Sequence, residues 1–144
     1  ADYNLLLNIV INECFRVLKP DKCFSFMFNS LDDDAWCNVV RTFHISGFNL
    51  LSIETLGYSA NSVVQDNRKN GLQTDFIITY KKPIAINHKK ELEIVDLMDY
   101  PDTVMEIMTL KNKGYKPFQI INRVLSDFLN QNKFIKISEL LKIL

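Results

Sequence analysis

The sequence predicts an α/β chain closed by a small helical tail. Three observations carry that reading. A helical stretch at residues 4–18 is stopped by Pro20 and followed at once by a phenylalanine-rich strand at 23–29. A second helix–strand pair spans residues 33–56, and a further strand covers 75–81. From about residue 90 the apolar period becomes helical. The composition shift at 83–90 divides the chain into an α/β part, 1–83, and a tail, 84–144.

In the first helix Asn4, Asn8, Asn12 and Arg16 recur every four residues and line one face. Nearly everything else is apolar, from Leu5 to Leu18, so the helix is expected to pack on a sheet with a second element over it. Pro20 disfavours helical geometry at Lys19 and ends the helix. The strand that follows carries Phe24, Phe26 and Phe28 on one face and Cys23, Ser25 and Met27 on the other. Such a strand is expected inside a parallel sheet covered on both faces. Asp32, Asp33 and Asp34 mark the positive end of the next helix, and the dipole accounts for them better than a metal cluster does. That helix buries Trp36, Val39, Val40 and Phe43, with Gly47 as a left-handed cap and Phe48 packing back. Residues 49–56 read as a strand, 57–74 as a long polar loop, and 75–81 as a strand antiparallel to its neighbour and ended by Pro83. In the tail, helical stretches are expected at 91–99 and 102–113 on either side of Pro101, then at 118–131, with Ser138 capping a last helix through Leu144.

Seventeen basic and seventeen acidic residues cancel over the 144 residues, but not evenly. Residues 91–106 hold six acids and no base, whereas 111–142 hold seven bases against Asp127 and Glu139. No apolar run reaches the ~18 residues of a membrane span, and no signal peptide opens the chain. A cytoplasmic protein without a membrane partner is therefore expected. Cys14, Cys23 and Cys37 lack ligand spacing and read as reduced thiols; His44 and His88 have no ligand-spaced partners, so no metal is expected.

The order helix, strand, helix, strand, long loop, strand, with an antiparallel last strand, resembles the second half of the Rossmann-like sheet of class I S-adenosylmethionine-dependent methyltransferases. "ECFRVLKP" (13–20) is similar to the helix end and turn before the fifth strand of such enzymes. "CFSFMFNSLDDDAW", "SGF", "NSVVQ" (61–65) and "TDFIITYKKP" (74–83) resemble the amino-methylating, adenine-type bacterial DNA methylases. The likeness covers roughly residues 3–83. Asp21-Lys22 stands where the family usually has Gly-Gly, so that turn must be built differently.

The resemblance implies a DNA adenine-N6 methyltransferase of a restriction-modification type, using S-adenosylmethionine in the intact parent. This stretch lacks the glycine-rich cofactor loop, the ribose-binding acid and the (Asp/Asn)-Pro-Pro-(Tyr/Phe) catalytic string. It reads as a fragment, with no catalytic residue, no cofactor contact, and DNA as a partner through the parent. An exposed sheet edge and the apolar helix 4–18 are expected to favour a homodimer.

Candidate substrate contacts follow from position. Asn29 and Ser30 lie at the carboxyl end of a strand, the edge where open α/β sheets bind ligands; they touch an extruded base, or they cap the following helix. Ser62 and Gln65 sit in the long loop, where they touch substrate or bond the loop's own backbone, and Arg68 and Lys69 beside them are candidates for phosphate contact. Gln119, Asn122 and Arg123 open a helix that either reads DNA or is an ordinary packed surface helix. The alternative function is a non-enzymatic DNA-binding or protein-interaction module with a methyltransferase-like half-fold. A small-molecule or RNA methyltransferase fragment is the third option.

Overall fold

The computed structural model describes residues 2–30, 32–56, 75–86 and 89–144. Among these residues five α-helices accompany two small sheets. The predicted loop at 57–74 lies outside the described residues.

Helix α1 (Tyr3–Val17) begins at Asp2, whose carboxylate accepts the Asn4 N–H at 3.0 Å, and stops before Pro20. Asp21 then takes a left-handed φ of 64°. This is the conformation a glycine adopts freely and Asp tolerates better than most residues. Its carboxylate meets Lys81 Nζ at 2.7 Å, which holds the carboxyl below its ordinary range.

β1 (Cys23–Phe28), β2 (Asn49–Thr55) and β3 (Phe76–Lys81) form one sheet in the order β1-β3-β2. β3 runs antiparallel to both neighbours, so β1 and β2 are parallel to each other. The expected pairing of β2 with β3 holds, but the expected interior parallel position of β1 does not. β1 is an edge strand paired, among the described residues, with β3 alone. Cys23, Ser25 and Met27 are exposed, so the second face is uncovered. Apolarity on both sides of a strand therefore overstated its burial. In β2 a bulge at Leu51 separates Leu50, opposite Tyr80, from Ser52, opposite Thr79. That extra residue returns Leu50 and Ile53 to the same face.

Helix α2 (Asp33–Ser46) joins β1 to β2 and covers the phenylalanine face. Asp32 caps it, Trp36, Val39, Val40 and Phe43 are buried, and Gly47 closes it at φ 100° with Phe48 N–H on the Phe43 carbonyl. The core is aromatic: Phe43 stacks on Tyr80 at 4.1 Å and on Phe26 at 5.0 Å, and Trp36 meets Phe28 edge-on at 4.7 Å.

The asparagine stripe of α1 faces α2. Asn38 donates to Asn4 at 3.1 Å, Thr42 to Asn8 at 2.5 Å and Ser46 to Asn12 at 2.6 Å. Four-residue spacing on both helices makes this a regular polar ladder. Ile11 is buried, and Leu7, Phe15 and Leu18 pack against the core. Leu5, Leu6, Ile9, Val10 and Val17 are instead 50–60% exposed. Lys82 closes the carboxyl end of α1, donating to the Phe15 and Leu18 carbonyls at 2.5 and 2.8 Å.

The tail is not helical throughout. Residues 91–99, expected as a helix, form the short strand β4 (Glu93–Val95) and a 3-10 turn (Leu97–Asp99). Pro101 is the first residue of α3 (Pro101–Asn112), a position that needs no N–H, rather than a separator of two helices. Helix α4 (Pro117–Asn130) leads to β5 (Lys133–Ile135), which pairs parallel to β4. Helix α5 (Ile137–Ile143) starts after Lys136. Ser138 is not its cap: its N–H, 3.0 Å away, and its hydroxyl both donate to the Asp33 carboxylate. Three-residue strands are too short for an alternation signal, so β4 and β5 were invisible to periodicity. One cluster of buried residues runs from Ile11 to Leu140.

Candidate functional site at the carboxyl end of the first strand

β1 delivers Asn29 and Ser30 to the edge of the sheet. Asn29 Nδ2 donates to Asp75 Oδ1 at 2.8 Å, tying the end of β1 to the start of β3. The Ser30 hydroxyl accepts the Asp32 N–H at 3.1 Å, and its carbonyl accepts Trp36 Nε1–H at 2.8 Å. Ser30 thus serves the strand-to-helix turn, and Asn29 serves the pairing of β1 with β3. Beside them lies a pocket of about 240 Å³, lined by Ser30, Asp33, Trp36, Ile137, Ser138 and Leu141. Its wall is mainly apolar, with the Trp36 ring on one side and α5 on the other. Asp33 and Ser138 are bonded to each other, which consumes the nearest acid and hydroxyl. Lys142 also lines the pocket, so it presents one basic group and, with Asp33 bonded to Ser138, no free acid beside it among the described residues.

The other candidates do not gather there. Gln119 Oε1 accepts the Lys116 N–H at 2.9 Å and caps its own helix. Asn122 Oδ1 accepts the Ile53 N–H at 3.1 Å, bonding α4 to the outer strand β2. Arg123 pairs with Glu106 at 2.8 Å. Ser62, Gln65, Arg68 and Lys69 lie outside the described residues.

A second, smaller space of about 50 Å³ lies between α2, the sheet and α4, lined by His44, Tyr80, Lys89, Ser126 and Asn130 among others. A water occupies ~30 Å³ of liquid, so this space suits one or two waters and no substrate. His44 Nε2 lies 2.9 Å from Asn132 Oδ1, and Lys89 Nζ donates to the Phe48 carbonyl and, at 2.5 Å, to Asn49 Oδ1. Burial depresses the pKa of both His44 and Lys89. Tyr80 Oη is buried without a hydrogen-bond partner among the described residues, and burial raises its pKa. Sequence reading passed over this group because its members come from five separated stretches; His44, one residue beyond the Phe43 core position, was the only local hint.

Among the described residues no group of three His, Cys, Asp or Glu is placed to hold a metal, and no helix is long and apolar enough to cross a membrane. Compared with family models, curated proteins and solved structures, the chain matches none.

Proposed function

We infer that this chain is the C-terminal portion of a class I S-adenosylmethionine-dependent DNA methyltransferase, of the adenine-N6 type. One observation carries the reading: two parallel strands joined through a helix, with the last strand inserted antiparallel between them. That is the sheet ending the resemblance implies. The left-handed φ of 64° at Asp21 supports it, because an aspartate there does the work of the glycine expected in that turn. So do the open edge of β1 and the uncovered apolar side of α1, where the rest of such a sheet and its helices would lie.

In this reading the chain supplies sheet and one wall of the substrate cleft, the pocket beside Trp36 and Ser30. No cofactor contact is assigned to this chain; of its four glycines, Gly57 and Gly71 lie outside the described residues. Gly47 and Gly114 follow helices at φ 100° and 85° as left-handed caps, and neither belongs to a strand-to-helix cradle. Calorimetry on this chain should detect no S-adenosylmethionine binding; micromolar binding would overturn the division of labour. The alternative, an interaction module, is favoured by the amount of apolar surface left open on α1. A protein extended upstream in its own reading frame separates the two. An enzyme gains a (Asp/Asn)-Pro-Pro-(Tyr/Phe) string before β1 and transfers methyl groups to DNA. A module does neither.

A further inference from the structure

All four methionines of the chain lie at the surface: Met27, Met98, Met105 and Met108 are 66%, 73%, 70% and 45% exposed. Methionine is ordinarily among the most buried residues. Three of the four belong to one region. Met105 and Met108, three residues apart on α3, share a helix face, while Ile107 and Leu110 of the same helix are buried. Met98 stands on the 3-10 turn that runs into α3, and Ile94 on the strand just before it is also exposed.

Glu91, Glu93, Asp96, Asp99 and Asp102, all exposed, accompany these side chains. No base lies between residues 91 and 106, and within that stretch only Glu106 has a basic partner among the described residues, Arg123. We propose that this methionine face is a docking surface for a basic amphipathic helix of a partner protein. Flexible thioether chains adapt to an apolar helix stripe. The surrounding carboxylates select Lys and Arg on the flanks of that stripe and steer its approach. The same charge repels a polyanion, so this face is not the side that meets nucleic acid or an anionic lipid surface. A second copy is a poor occupant, because the chain's own lysine-rich stretch, 111–116, ends α3 and turns at Gly114, so it presents no continuous basic helix. The inference does not depend on the methyltransferase reading.

The test uses a synthetic amphipathic peptide of leucine and lysine, and a control of the same pattern with glutamate for lysine. With methionine methyl groups labelled by carbon-13, the lysine peptide should move the Met98, Met105 and Met108 signals and leave Met27 in place. M98Q/M105Q/M108Q should weaken binding at least tenfold with unchanged melting, since these side chains are exposed. E93Q/D99N/D102N should weaken it similarly and flatten its salt dependence. Equal binding of the glutamate peptide, movement of all four signals, self-association through these methyls without peptide, or no binding would each overturn the proposal.

Discussion

His44 sits in the last turn of α2 with its ring buried and its Nε2 2.9 Å from Asn132 Oδ1. Burial, with the Lys89 charge adding to it, holds its pKa below the ordinary 6.5. The fold therefore prefers neutral His44, and the unfolded chain binds the extra proton first as pH falls. The stability this provides is complete above pH 6.5 and is lost progressively below it. His44→Gln should flatten the fall in melting temperature as the pH drops below 6.5; an unchanged slope would show that His44 is not the responsible group. In the polar ladder, Asn8→Ala should destabilise by about 1–3 kcal/mol, because it strands the nearly buried Thr42 hydroxyl. Gly47→Ala should cost about 1–2 kcal/mol from its left-handed φ alone, and an added Cβ would also sit 3.1 Å from the Phe15 ring. Denaturant melts check both.

At the scale of elements, α2 was the most legible part of the sequence. Three aspartates, the Trp36–Phe43 stripe and Gly47 act through neighbours in the chain, so local rules place the helix and both its ends. Helix α1 was legible in extent but not in orientation. Its asparagines look like a solvent stripe until α2 offers Asn38, Thr42 and Ser46 at the same spacing, and only tertiary contact shows that. Asn122 and Gln119, left by the sequence between DNA contact and an ordinary packed helix, form a strand-edge bond and a helix cap for the same reason. The turn-out of α1 and the open edge of β1 predict association. Light scattering should show mass rising with concentration, and Leu6→Lys with Val10→Lys should reduce it while leaving the circular dichroism intact. A monomer at every concentration would show that these surfaces are tolerated in water.

For the whole molecule, β1, β2 and β3 make a sheet that closes on the α4 side, where Asn122 satisfies Ile53, and remains open at β1. Strand order cannot be read from periodicity: the antiparallel pairing of β3 with β2 was legible from the loop that joins them, whereas the place of β3 between β1 and β2 depends on tertiary pairing. Transfer of tritiated methyl from S-adenosylmethionine to adenine-containing duplex DNA, by the protein extended upstream in its reading frame, tests the central claim most directly. The account predicts label on the adenine amino group with the extended protein and none with residues 1–144 alone. Label with residues 1–144 alone, or an extended protein that neither binds the cofactor nor labels DNA, would contradict it.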